Sequence, residues 1–231
     1  MRIVAQIKTD IAFQIKHGFY LAYFIIAIIY IIFLRFIPLA WKETGAVILI
    51  FSDCSFLGSF FIGGIILLEK DQGMIDQLLI SPLRISEYIL SKALSLSCLA
   101  TSASFVILFA SFGPLLHYPS ILLAVFGCSL FATFLGMTIA INVKSVNQYL
   151  LITPLFVPIF FLPLANYFSM PAAPTFLEWT PGYSTLELIG SGFHTISYPA
   201  VHLMVLFSWI FLFFFMTNNH YERTFYKKAG V

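Results

Sequence analysis

The sequence predicts an all-α polytopic membrane protein with six membrane-spanning helices, and three observations lead to that prediction. Hydrophobic residues make up 60% of the 231 residues and charged residues only 10%, whereas soluble domains carry about 25% charged residues. The mean hydropathy is +0.96. The chain also contains 27 phenylalanines, many of them in long apolar runs, which excludes a disordered chain. The net charge of +2 gives no indication of nucleic-acid binding.

Chain length limits the protein to a single transmembrane domain over residues 1–231. About 20 apolar residues cross a bilayer, so six spans need roughly 120 residues and leave no room for a large soluble domain. Cys54, Cys98 and Cys128 all lie inside apolar runs. We expect them to be buried thiols rather than a disulfide or a set of metal ligands.

Residues 1–17 predict an amphipathic helix that lies flat at the membrane surface. Isoleucines recur at every fourth position, and a row of polar residues runs parallel to them. The isoleucines are Ile3, Ile7, Ile11 and Ile15, and the polar row is Arg2, Gln6, Asp10 and Gln14. The alternative is that this segment simply extends the first span.

Six apolar stretches follow, and each is expected to form a span. They are 19–38, 46–68, 88–112, 119–142, 147–168 and 196–217. Ten of the 12 Lys and Arg residues lie on the same side of the membrane as the N-terminus, if Lys92, just inside the third span, is included. The other two are Arg35 and Lys42. Because positive charge accumulates in cytoplasmic loops, both termini are predicted to be cytoplasmic.

Small and polar residues mark particular faces of the spans. Rows of small residues at spacing four permit close helix packing, and we interpret the row in the second span as a possible wall between two copies of the chain. The rows are Ser55, Ser59 and Gly63 in the second span and Ala132, Gly136 and Ala140 in the fourth. The third span is rich in Ser and Thr, so Ser97 and Thr101 are candidates for a substrate pathway. Ordinary helix packing explains all of these residues equally well.

Asp53 is an unusual residue for a span. It lies seven positions inside the predicted second span, or roughly 10 Å from its outer end at 1.5 Å per residue. A carboxylate at that depth is costly and is expected to face protein or water. The residue is either a polar contact in a transport pathway, a proton site, or a carboxyl group that is hydrogen-bonded to a neighbouring helix or hydrated near the outer surface.

Prolines and glycines mark the last third of the chain. Pro154, Pro158 and Pro163 predict a kinked or locally opened fifth span. Residues 169–195 are too apolar for a solvated loop and too often broken by Pro and Gly for a span. Two short helices that dip into the outer leaflet and pack on the bundle fit this segment, since non-helical backbone at that depth must be buried in protein.

Residues 69–87 form the most informative stretch. Apolar residues recur at helical spacing among charged ones, and Pro82 ends the pattern before the third span opens at Glu87, Tyr88 and Lys92. A short cytoplasmic helix between two spans can transmit a push from a soluble partner. An ordinary interfacial loop fits the same pattern, so the residues alone leave the choice open.

This stretch resembles the signature of type-2 ABC transporter permeases. In that signature a Glu, a Gly, an apolar helix, a Ser/Thr-Pro-Leu and a Lys follow one another. The matching residues are Glu69, Gly73, Leu78, Leu79, Ser81, Pro82, Leu83 and Lys92. The wider chain is similar to the fluoroquinolone-export type of permease in three pieces, namely 17–20 near Tyr23, 51–53 through 68–70, and 145–149. Cys54 stands where this subgroup is expected to have Pro, so the sequence offers no argument for a broken helix there.

The resemblance implies the transmembrane subunit of an ATP-driven exporter at the plasma membrane. It implies coupling to the ATPase through Glu69, Gly73, Asp76, Leu78, Leu79 and Pro82. The sequence contains no G-x-x-x-x-G-K-[ST] motif, so ATP and Mg²⁺ are expected on a separate ATPase subunit. A second permease copy or a related permease is expected as a further partner, and no cofactor, metal or catalytic residue is expected in this chain.

Other functions remain open at this point. An exporter of the same class that moves lipid, haem or peptide has the same sequence features as a drug exporter. An intramembrane enzyme, such as an acyltransferase or a protease, requires clustered polar residues in the membrane. Here Asp53 has no obvious sequence partner and His202 is the only histidine well inside a span. An assembly subunit without a pathway is the third class.

Overall fold

A computed structural model describes residues 2–74, 83–168, 174–193 and 199–229 of the chain. All regular secondary structure within these ranges is helical. Six of the helices are long and apolar enough to cross a membrane. The protein is therefore an all-α multi-pass membrane protein, as the sequence predicted.

Ten α-helices and three shorter helical turns make up the described residues. The α-helices are α1 (Arg2–Lys16), α2 (Phe19–Phe36), α3 (Leu39–Ser52), α4 (Gly58–Asp71), α5 (Ile85–Phe112), α6 (Tyr118–Ala140), α7 (Val146–Phe161), α8 (Leu164–Tyr167), α9 (Pro181–Gly190) and α10 (Pro199–Ala229). A π-helical turn (Asp53–Leu57) joins α3 to α4, and 3₁₀ turns occupy Gly113–Leu115 and Thr175–Trp179.

Helix α1 is separate from the first span. Gly18, at φ 79°, occupies the left-handed region between α1 and α2, which glycine adopts without steric cost. Asp10 and Gln14 of the polar row are buried, whereas Ile15 of the isoleucine row is exposed. The polar row of the amphipathic helix thus faces the protein.

The second span begins earlier than its hydropathy indicated. It runs from Leu39 to Asp71, whereas the apolar stretch begins at 46, because Lys42 is accommodated at the helix start. Its ammonium group donates a hydrogen bond to the Ser111 carbonyl at 2.9 Å and lies over the Phe112 ring. Asp53 consequently lies roughly 20 Å from the beginning of the span at 1.5 Å per residue, instead of 10 Å.

The second span is irregular at Asp53, although it contains no proline there. The turn Asp53–Leu57 is π-helical, so the backbone is wider at this point than in an α-helix. Single π-helical turns inside α-helices are frequent at functional sites. Nothing in the sequence around Cys54 predicted this irregularity.

The fifth span is interrupted at one of its three prolines. Helix α7 ends at Phe161, and α8 resumes at Leu164 after Leu162 and Pro163. Pro154 lies inside the continuous helix α7 and is exposed. The predicted opening of this span is therefore confirmed at Pro163.

Helix α6 lies at the centre of the bundle, where it contacts α4, α5, α9 and α10. The two rows of small residues meet here. A Cβ atom added to Gly136 would lie 2.8 Å from the Ser59 carbonyl oxygen, and one added to Gly58 would contact Ser129 and Ala132. Glycine at 136 therefore lets α4 and α6 approach at backbone distance.

The small residues of the second span are used within one bundle. Ser55 and Ser59 are each 5% exposed. Gly63 faces the ring of Tyr149 from α7, whose hydroxyl donates to the Ser59 carbonyl at 2.5 Å. The expectation that this row forms a wall between two copies is wrong, because its surface is already covered by α6 and α7.

The segment before the last span packs on the bundle, as predicted. Within 174–193 it forms the 3₁₀ turn Thr175–Trp179 and helix α9, and Leu186, Leu188 and Ile189 of α9 are fully buried. The Ser120 hydroxyl at the start of α6 donates to the Leu188 carbonyl at 2.9 Å. We call this end of the bundle the α9 end, and the opposite end the α1 end.

Replacing Gly63 by Ala is expected to destabilise the bundle by about 1–3 kcal/mol. The new methyl group would overlap the Tyr149 ring, which is fixed by its hydrogen bond. Gly64→Ala is the matched control, because its methyl group would lie 3.9 Å from Phe19 in ordinary contact. Unfolding in mixed micelles measures both variants, and equal stability of the two would contradict this packing.

Candidate functional site

A buried ammonium group joins three helices at the α1 end of the bundle. Lys92, on α5, is 1% exposed. Its Nζ lies 2.8 Å from Oδ1 of Asp10 on α1 and 2.6 Å from Oε1 of Glu69 on α4. We call Asp10, Glu69 and Lys92 the ion triad.

Neutral polar groups complete the surroundings of the ion triad. The Tyr88 hydroxyl donates to Oε2 of Glu69 at 2.7 Å. The Gln14 amide donates to the Ser95 hydroxyl at 2.8 Å, which in turn donates to the Lys92 carbonyl at 2.9 Å. A buried charge is tolerated only when it is paired and hydrogen-bonded. The charges of Lys92 and Glu69 meet that condition, whereas Oδ2 of Asp10 is buried and accepts no hydrogen bond from the described residues.

The local sequence explains why these side chains meet. Asp10 and Gln14 are one turn apart on α1, and Tyr88, Lys92 and Ser95 recur at spacings of three and four on α5. Residues three or four positions apart share a helix face. The polar face of α1 therefore contacts the polar face of α5, and Glu69, in the last turn of α4, lies between them.

Lys70, the residue of α4 that follows Glu69, binds the end of α6. The Lys70 ammonium donates to the carbonyls of Ile141 and Val143, at 3.0 and 2.8 Å. A cation near the C-terminus of a helix satisfies its free carbonyls and interacts favourably with its dipole. Glu69 and Lys70 therefore connect the end of the second span to α1 and α5 on one side and to α6 on the other.

Gly73 follows α4 in the left-handed region, at φ 68°. Its N–H donates to the Lys70 carbonyl at 3.1 Å. A Cβ atom there would meet none of the described residues within 4 Å, and the positive φ already favours glycine. The other predicted coupling residues, Asp76, Leu78, Leu79 and Pro82, lie outside the residues that the structure describes.

The three predicted pathway residues differ in their surroundings. Asp53 is 1% exposed and Ser97 is fully buried, and neither side chain has a hydrogen-bond partner in the described part of the chain. Thr101 donates to the Ser97 carbonyl at 2.6 Å. It lines an open cleft with Cys98, Ser102 and Phe126 on the outside of α5 and α6.

An apolar cavity lies towards the α9 end. Its volume is about 200 Å³, and aromatic side chains form most of its wall together with the start of α9. The aromatic residues are Phe131, Phe160, Trp209 and Phe213. Such a cavity suits an apolar or aromatic group and offers no charged contact.

Comparison with known proteins assigns the class, because a family model matches residues 1–228. The chain belongs to the Fluoroquinolones export permease protein family. Relatives occur in two strains of Mycobacterium tuberculosis, and both are named fluoroquinolones export permease proteins. Each is 21% identical to this chain over 196 residues, which cover 85% of this permease and 83% of the relative.

Sequence reasoning identified the members of the triad but not their association. Glu69 and Lys92 belong to the family signature of the permease, and Asp10 is the only acidic residue in the polar row of α1. The missing step was that Lys92 lies inside a span and needs buried partners. A search for carboxylates that could pair with a buried Lys92 would have pointed to Asp10 and Glu69.

Replacing Lys92 by Met is expected to destabilise the permease by about 3–5 kcal/mol, because two buried carboxylates lose their counter-charge. Adding Asp10→Asn and Glu69→Gln should recover most of this loss, since no uncompensated charge then remains. Lys144→Met, at an exposed lysine, is the control. Reversible unfolding in micelles gives the free energies, and wild-type stability of Lys92→Met would disprove a structural role for the triad.

Proposed function

We propose that this permease is the transmembrane subunit of an ATP-driven ABC exporter that moves a drug-like or amphipathic substrate out of the cell. ATP and Mg²⁺ bind to a separate ATPase subunit, and this chain holds no cofactor. The observation that supports this proposal is the ion triad together with the neighbouring Lys70, because the triad joins the end of α4 to α1 and α5, and Lys70 joins it to the end of α6.

The geometry suits transmission of a push from a soluble partner. The coupling segment 70–82 follows Glu69 directly in sequence and begins in the last turn of α4. A displacement of this segment therefore acts on α1 and α5 through Lys92, and on α6 through the Lys70 contacts. Because a buried ion pair separates only at a large cost, these elements move together and do not slide past one another.

The orientation follows from charge. We place the α1 end, both termini and the coupling segment in the cytoplasm, and the α9 end outside. Most Lys and Arg residues lie at the α1 end, whereas the outer segment 169–195 holds Glu178 and Glu187 and no basic residue. This distribution agrees with the positive-inside rule for a plasma-membrane protein.

The substrate class is proposed from the relatives' names and from the apolar character of the permease. A second permease copy or a related permease completes the pathway, because the aromatic cavity of about 200 Å³ is smaller than the roughly 300–1,000 Å³ of a typical ligand pocket. A lipid, haem or peptide substrate is the alternative within the same class.

Transport provides the direct test. Inverted membrane vesicles that contain the permease and an ABC ATPase that co-purifies with it should accumulate the fluoroquinolone norfloxacin when ATP is added. Vesicles with an ATPase that cannot hydrolyse ATP should not. ATP-dependent uptake of a lipid or peptide without norfloxacin uptake would show that the proposed drug-like substrate is wrong. If uptake of none of these compounds depends on ATP, the proposal of an ATP-driven exporter is wrong.

Gly73→Trp is expected to abolish substrate-stimulated ATP hydrolysis while the permease still inserts, because it places a bulky side chain on strained backbone at the coupling segment. Gly18→Trp is the control. Gly18 also has a positive φ, 79°, and a Cβ atom there would meet none of the described residues within 4 Å, but it lies between α1 and α2, outside the coupling segment. Unchanged stimulation in Gly73→Trp would remove this segment from the coupling pathway.

Cysteine labelling tests the orientation. In a background without the three native cysteines, Thr175→Cys should react with a membrane-impermeant maleimide added outside intact cells. Arg223→Cys should react only after the cells are opened, since it lies on the cytoplasmic extension of α10. Both positions are exposed in the bundle. Labelling of Arg223→Cys from outside would reverse the topology.

A further inference from the structure

Asp53 is a carboxyl group that the coupling function does not use. It is 1% exposed, and neither of its oxygens accepts a hydrogen bond from any described residue. It lies in the π-helical turn Asp53–Leu57, roughly midway along the second span. Burial therefore separates this carboxyl group from bulk solvent, and no described residue donates a hydrogen bond that would stabilise its negative charge.

The titratable neighbours of Asp53 do not supply a positive charge. Among the described residues, the phenols of Tyr23 and Tyr30 on α2 and the thiol of Cys54 interact with the carboxyl. The Cys128 thiol of α6 also lies against the π-helical turn, 3.2 Å from the Ser55 hydroxyl. Phenols and thiols are neutral or negative and never cationic. Tyr23 is itself buried with an unpartnered hydroxyl.

The ion triad shows how the same protein pairs its other buried carboxyl groups. Asp10 and Glu69 are as deeply buried as Asp53, but both contact the Lys92 ammonium within 2.8 Å. The ion pairs in the described ranges do not include Asp53. An isolated buried carboxylate costs far more free energy than the neutral acid, so such a group binds a proton instead.

We propose that Asp53 is an intramembrane proton-binding site and that it carries a proton in this conformation. The ligand is a single proton, which leaves a neutral carboxylic acid between α2 and the π-helical turn. The site is independent of the coupling contacts, because Asp53 shares no hydrogen bond or ion pair with the triad. A change of the π-helical turn that exposed the carboxyl to water would release this proton.

Isotope-edited infrared spectroscopy of the isolated permease in lipid nanodiscs tests the proposal without the ATPase. Aspartate is labelled with heavy carbon in its carboxyl group. At neutral pH we expect a carbonyl band of a protonated carboxyl that shifts on labelling. The band should be lost in Asp53→Asn and retained in Asp71→Asn, which removes an exposed aspartate of the same span. Tyr23→Phe should also retain the band, because burial rather than the phenol holds the proton.

Asp53→Glu covers the case in which Asp53→Asn does not fold. This variant keeps a carboxyl group in the turn but removes it from the labelled residues, so its band should no longer shift with the label. Absence of the band from the folded wild-type permease at neutral pH would overturn the proposal. A label-sensitive band that persists in Asp53→Asn or Asp53→Glu would also overturn it, since another aspartate would then carry the proton.

Discussion

A buried ammonium group is stable only while its carboxylate partners remain in place, and this constraint governs the α1 end of the permease. Lys92 draws one carboxylate from α1 and one from α4, so three helices share one electrostatic contact. Each of these helices could otherwise rotate in lipid at little cost, because lipid offers no hydrophobic drive between helices. The triad therefore fixes the rotation of α1 about its own axis and the axial position of α4 relative to α5.

Close backbone contact fixes the middle of the bundle in a different way. Gly136 and Gly63 remove side chains at two points where α4 meets α6 and α7, and Tyr149 fills one of these points with its ring. The Tyr149 hydroxyl then satisfies the Ser59 carbonyl. Close packing and a hydrogen bond thus stabilise the middle of the bundle, whereas the ion pairs of the triad stabilise the α1 end.

The sequence predicted the six spans, the separate first helix and the packed segment before the last span, because hydropathy and helix breakers are local properties. It did not predict the π-helical turn at Asp53 or the early start at Leu39, which depend on contacts such as that of Lys42 with α5. The triad residues were recognisable one by one, but their pairing joins positions up to 82 residues apart. Small residues marked close packing correctly, yet they did not reveal whether the partner helix belongs to the same chain.

Helix α10 is longer than a bilayer requires. Its 31 residues extend about 46 Å at 1.5 Å per residue, while the hydrocarbon core is about 30 Å thick. Tyr221 and Thr217 attach α10 to the Met137 and Phe134 carbonyls of α6, and the helix continues beyond them to Ala229. Phe225, one turn beyond Tyr221, is also buried, so this end of α10 stays packed on the protein and a tilt of α6 carries it along.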